Sequence, residues 1–116
     1  ATVTGELRCT ADIIAYYTSD RRLKDDLKPI EDPIAKIRKL TGYTFTWNEL
    51  QDSYIGEDVG VVAQEVNEVL PEVVTERDDG YLAVKYEKMI PLLIEAMKEQ
   101  QDQIDDLKQQ IEELRK

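Results

Sequence analysis

Residues 90–116 constrain this chain more than any other stretch. With heptad position a at Ile90, Met97, Ile104 and Ile111, position d falls on Leu93, Gln100, Leu107 and Leu114. Seven of these eight positions are apolar, and the residues between them are mostly Glu, Gln, Asp, Lys and Arg. An apolar repeat of 3.5 sustained over four heptads marks a coiled-coil seam rather than a helix lying on a globular core. From Ile90 to Lys116 such a helix is about 40 Å long at 1.5 Å per residue. Alone, it would leave a line of Ile and Leu in water, so it calls for partner helices. Ile at a with Leu at d favours parallel dimers, and Gln100 at a d position can fix register or oligomer state at some cost in stability. The helix is expected from about Glu87, with Pro91 in its first turn, where no backbone donor is lost.

The rest of the sequence is short. The chain has 116 residues and a formal charge of −10, from 15 Lys and Arg against 25 Asp and Glu. It has no histidine, which excludes a Ser-His-Asp or Cys-His triad and a histidine-ligated zinc site. Its single cysteine, Cys9, excludes an internal disulfide and a Cys-x-x-Cys site. The net charge argues against nucleic acid or an anionic membrane as the main partner, because both need a basic face. No apolar run approaches the roughly 20 residues of a membrane span, and no signal peptide is visible. The opening ATVTGELRCT lacks an initiator Met, so the expectation is a segment of a longer protein.

The acidity is concentrated. Residues 49–79 carry ten acidic groups and one basic group, Arg77, whereas residues 1–48 carry eight basic and seven acidic groups. Neither the 52–58 run nor Asp78-Asp79-Gly80 has the spacing of an EF-hand loop. We therefore read the middle third as a solvated acidic face, with no metal and no cofactor.

Along the chain, residues 1–17 read as extended structure, with Val3, Leu7, Ile13, Ile14, Tyr16 and Tyr17 as strand formers and Gly5 as punctuation. Residues 19–32 are irregular and densely charged. Asp32 as N-cap and Pro33 at the first helical position start a helix that runs to about Leu40 and ends at Thr41-Gly42. Tyr43 to Trp47 alternates aromatic and threonine, the pattern of a half-buried strand with its aromatics on one side. Residues 48–58 read as a polar loop, and 59–62 as a short strand or helix lead-in. Ala63 to Leu70 forms a short helix with Val62, Val66, Val69 and Leu70 inward, stopped by Pro71. Residues 73–77 and 81–86 flank Asp78-Asp79-Gly80 as a β-hairpin with an Asp-Gly turn. The fold class is α+β: a small mixed body with short helices and a β-hairpin, followed by the long coiled-coil helix.

Without histidine, a nucleophile needs another base, and lysine is the usual substitute. Ser19 and Lys24 are five residues apart in Ser19-Asp20-Arg21-Arg22-Leu23-Lys24. On a continuous helix they would lie about 140° apart, so the chain between them must turn if they act together. Taken alone the pair is weak: Ser19 and Asp20 also suit a turn or a cap, and Lys24 suits a solvated surface.

The same residues, followed by Leu27-Lys28-Pro29-Ile30, resemble the opening of the intramolecular chaperone auto-processing domain. That domain occurs at the C-termini of phage tail fibres, tailspikes, neck appendages and endosialidases, and every fixed element of its Ser-Asp-x-Arg-Leu-Lys pattern is present. Three further motifs follow in order. Gly42 to Trp47 is similar to the family's aromatic strand. Val59 to Val66 with Leu70 to Val74 is similar to its Gly-x-x-Ala-Gln-Glu and Pro-Glu-Val segment. Val84 to Ala96 is similar to the motif that leads into its coiled coil. The resemblance spans about residues 13–116.

It implies a homotrimer that helps an upstream fibre or spike of the same chain to assemble, then releases itself by a Ser-Lys mechanism. Carried over, Ser19 is the nucleophile, Lys24 the general base, and Thr18–Ser19 the bond cut, with Ser19–Asp20 as the alternative. Asp20 and Arg22 would support the site. The eight a and d residues would form the trimer core, in place of the dimer that the heptads favour. The implied division is residues 1–18 as the end of the upstream segment, 19–89 as the body and 90–116 as the coiled coil. Assembly would take place in the host cytoplasm, with the upstream part in the virion. A non-cleaving trimerisation module of a virion protein is the other reading. A general-base lysine must be neutral, so its pKa must fall from ~10.4 toward 7–8 by burial or a nearby cation. Arg21 and Arg22 can supply that cation, and Asp20, Asp25 and Asp26 act against it. If the geometry forms only on trimerisation, assembly is the trigger.

Overall fold

A computed structural model describes residues 2–116; Ala1, the first residue of the 1–18 segment, lies outside the described residues. The elements follow in the order α1 (Pro33–Arg38), β1 (Tyr43–Thr46), β2 (Glu57–Gly60), α2 (Ala63–Val69), β3 (Val74–Glu76), β4 (Leu82–Val84) and α3 (Ile90–Leu114), with single 3-10 turns at Arg21–Leu23, Pro71–Val73 and Tyr86–Met89. The strands form two separate antiparallel pairs, β1 with β2 and β3 with β4.

In the first pair Tyr43 lies opposite Gly60 and Thr46 opposite Glu57. The second strand thus starts inside the stretch expected to be a loop. What holds it is aromatic packing across the connection. Phe45 meets Trp47 edge-on at 5.0 Å, Trp47 stacks on Tyr54 at 4.8 Å, and the Trp47 indole donates to Asp58 at 3.1 Å. A Cβ on Gly60 would sit 2.6 Å from the Tyr86 hydroxyl, which accepts the Val61 N–H at 3.2 Å. This close approach ties the first hairpin to the turn before α3.

Helix α1 begins at Pro33 as expected, but its cap differs. Asp32 is left-handed (φ 49°) and its side chain makes no capping bond. The Ile34 N–H instead donates to Glu99 Oε2 on α3 at 3.1 Å. A carboxylate 65 residues away thus does the work expected of the local Asp, and ties α1 to α3. The helix ends at Arg38, two residues short of Leu40, through bonds from the Lys39 and Leu40 N–H groups to the carbonyls of Lys36 and Ile37.

Helix α2 places Val66, Val69 and Leu70 in the core with Val73 and Leu92, and Ile30, Ile37, Leu40, Val61, Val74, Val84 and Met89 pack around them. Val62 is not on that face. It has extended dihedrals at the helix N-cap, one residue before the helical spacing begins, and is exposed. The β3–β4 hairpin turns at Asp78-Asp79-Gly80 as expected, with strands shorter than the expected 73–77 and 81–86. The Gly80 N–H donates to the Arg77 carbonyl and the Arg77 N–H to the Tyr81 carbonyl. Gly80 takes φ 87°, the three-residue form that ends on a left-handed glycine.

Residues 2–20 contain no strand. Their strand formers suit extended structure, but no edge of the body pairs with them, and an unpaired strand has no ladder to hold it. This arm and the long helix give a radius of gyration of 19.3 Å, against about 13 Å for a compact chain of this length.

Helix α3 has two working faces. Leu92 and Ala96 are buried against the body. Ile90, Leu93, Met97, Ile104, Leu107, Ile111 and Leu114 are each at least 45% exposed, and Gln100 is exposed too. In the first turns the two sets are roughly 110° apart at 100° per residue. Packing on the body therefore leaves the seam free. Because the core is so small, Leu92→Ala is expected to cost about 2–5 kcal/mol, a large part of the stability of a domain this size. Urea unfolding should show the midpoint falling steeply or the transition disappearing.

Candidate functional site

The site grows from one short turn. Asp20 is extended, and its Oδ1 accepts the Arg22 N–H at 2.8 Å. The Arg22 guanidinium returns to the same carboxylate through Nε at 3.1 Å and Nη2 at 3.0 Å. Hydrogen bonding from the Arg22 side chain, then from its backbone N–H, holds the Asp20 carboxyl below the usual carboxylate range. A depressed pKa means that this clamp is complete above the ordinary Asp value and is lost only as pH falls through the lowered one. The Leu23 and Lys24 N–H groups close the turn onto the carbonyls of Asp20 and Arg21, both at 3.1 Å.

The turn stops after Leu23, and Lys24 is extended again. That break brings back a side chain which a continuous helix would carry away. Lys24 Nζ donates to Ser19 Oγ at 2.6 Å. The structure therefore joins Ser19 and Lys24, with Asp20 and Arg22 forming the brace beside them. Arg22 does not act as the free cation beside Lys24, because its charge is engaged by Asp20. The contact is already present in the single chain, and both side chains are exposed there.

Ser19 and Lys24 line an open cleft of about 910 Å³. Tyr16, Tyr17 and Thr18 form one side of it, Ile30, Leu70 and Val73 contribute apolar surface, and Glu72, Glu87, Lys88 and Pro91 come from the turns flanking the hairpin and α3. Lys88 Nζ lies 4.9 Å from the centroid of the Tyr17 ring. The sequence places Glu72, Glu87 and Lys88 in family-like motifs but gives them no part in the site. No periodicity or short spacing links them to Ser19; only the fold brings them to the cleft. Among the described residues no group of three His, Cys, Asp or Glu side chains is placed to hold a metal ion, and no helix is long and apolar enough to cross a membrane.

A family model described as chaperone of endosialidase, and named as a peptidase, matches residues 19–75. Residues 19–75 belong to the chaperone-of-endosialidase family. The matched segment opens on Ser19 and contains the braced turn, both β-strands of the first hairpin, and α2. The chain is also similar to long tail fiber protein Gp37 of several phages. It is 36% identical over 101 residues to that of Enterobacteria phage K3, covering 83% of this chain and 8% of the relative. The Enterobacteria phage T2 protein gives the same identity and coverage. The Salmonella phage S16 protein is 35% identical over 105 residues, covering 84% of this chain and 14% of the relative. The chain thus spans a small fraction of the length of the fibre proteins it matches.

Proposed function

We propose that this chain is the C-terminal intramolecular chaperone of a phage tail fibre, which assembles as a homotrimer and then detaches by cutting the Thr18–Ser19 bond. The observation that carries the reading is the 2.6 Å contact between Lys24 Nζ and Ser19 Oγ, at the first residue of the family segment. In the reaction, a neutral Lys24 amine takes the Ser19 hydroxyl proton as Oγ attacks the Thr18 carbonyl carbon. The Thr18–Ser19 C–N bond breaks, Lys24 passes the proton to the departing Ser19 nitrogen, and water hydrolyses the ester that remains. This is one turnover on the chain's own bond.

In the contact as it stands, Nζ donates to Oγ, the reverse of what a base must do. A lysine can act as a base only in its neutral form. Lys24 is exposed in the protomer. The burial that favours its neutral form then comes from neighbouring copies once the seam on α3 has assembled. Assembly does not build the Ser19–Lys24 contact; it changes the surroundings of a contact already made.

The partners are two further copies and the upstream fibre of the same chain. Assembly takes place in the host cytoplasm, and the upstream part stays in the virion. A tag placed before Ala1, followed on a denaturing gel and by mass measurement, tests the reading. The wild type should divide into residues 1–18 and 19–116 once assembled. A fully assembled wild type that stays intact leaves only the non-cleaving trimerisation module.

A further inference from the structure

We propose that Lys88 is a positioning residue for the scissile bond and makes position 17 select an aromatic side chain. This rests on self-cleavage at Thr18–Ser19. The atom attacked is the Thr18 carbonyl carbon, so its approach to Ser19 Oγ depends on how the chain enters from residue 17. Nothing in the backbone fixes that entry. Residues 2–19 lie in no helix or strand, and among the described residues they make no backbone–backbone hydrogen bond.

What meets the entering chain is Lys88. Its ammonium sits 4.9 Å from the Tyr17 ring centroid, the geometry of a cation–π pair. Lys88 is half-buried and is set in the 3-10 turn Tyr86–Met89, where its N–H donates to the Lys85 carbonyl at 2.9 Å. Glu72 and Glu87 line the same cleft, yet among the described residues no carboxylate forms an ion pair with Lys88. The Tyr17 ring is therefore its partner. Tyr17 is 83% exposed, so it adds little to the core, and the ring is available for this contact. Any aromatic ring offers the same negative face, so Phe or Trp can replace Tyr. An aliphatic side chain cannot, and a cation at position 17 would be repelled.

The test is the single-turnover cleavage rate of the assembled full chain. Tyr17→Leu and Lys88→Met should each slow cleavage about two- to five-fold, the size expected of a cation–π contact that is not fully desolvated. The double variant should be no slower than the slower single one. Tyr17→Phe and Lys88→Arg should cleave at the wild-type rate. Thermal unfolding and assembly mass should stay unchanged throughout, which a structural role for either residue would not allow. Wild-type rates in both single variants, or losses that multiply in the double variant, overturn the pairing and leave self-cleavage standing. An assembled wild type that is never cut removes self-cleavage and the pairing with it.

Discussion

A tagged chain carrying Ser19→Ala stays whole on a denaturing gel under conditions in which the wild type is fully divided. Removing the hydroxyl held by Lys24 removes the nucleophile. Losses of about 10³-fold or more are usual when one member of such a unit is deleted. Lys24→Ala should be equally inert. Lys24→Arg is the more searching change. A guanidinium can still donate to Ser19 Oγ, but it cannot give up its proton to become a base. If Lys24 only tied the turn together, the Arg variant would be cut; if it is the base, that variant stays whole. Cleavage in Ser19→Ala, or fast cleavage in Lys24→Arg, would sink the mechanism.

The parts of this molecule legible in the sequence are those governed by one short period. The seam on α3 repeats over four heptads, so spacing alone names its residues. The inward face of α2 and the second hairpin follow from spacing and from Gly80. What escapes depends on distant partners. Glu99 caps α1 across 65 residues, where the local Asp32 is the obvious candidate. The first hairpin closes through Trp47, Tyr54 and Asp58, and only Trp47 lies in the recognisable strand. At the site, the five-residue spacing of Ser19 and Lys24 suggests separation. It becomes proximity because Asp20 and Arg22 brace a single turn that then stops. The tie of Lys88 to Tyr17 is not legible: it is made by the fold and leaves no pattern in the chain.

The preformed Ser19–Lys24 contact changes what assembly has to supply. A geometry that appeared only in the trimer would gate cleavage by construction. Under the proposed self-cleavage, the gate would lie in solvent exclusion around an exposed lysine and in how the Tyr16–Thr18 segment enters the cleft. Both are properties of surfaces that a neighbouring copy can cover. Such a gate would also give the proposed cut its purpose. β-rich fibre assembly with long-range pairing is slow, and linked helices raise the local concentration of the chains. On the proposed reading, cutting afterwards would remove the aid, so the released fibre could no longer unfold by retracing its folding path.

That logic makes the seam the second decisive place to intervene. Met97→Glu with Ile104→Glu should abolish assembly and cleavage together. Both residues occupy a positions, and in the single chain they are 72% and 45% exposed. Glutamate therefore costs the protomer little, whereas in an assembled seam six carboxylates would have to leave water. Leu92 and Ala96, on the other face of α3, still hold the helix to the body, so the variant should keep the wild-type unfolding behaviour of its core. Light scattering should give 13.4 kDa for the variant. The uncut Ser19→Ala chain should give three times that mass, where the heptad rule alone favours twice. A monomeric variant that still cuts itself would show that cleavage needs no assembly. A variant that still assembles would show that the interface lies elsewhere. Loss of both, with the body intact, ties the cut to the seam.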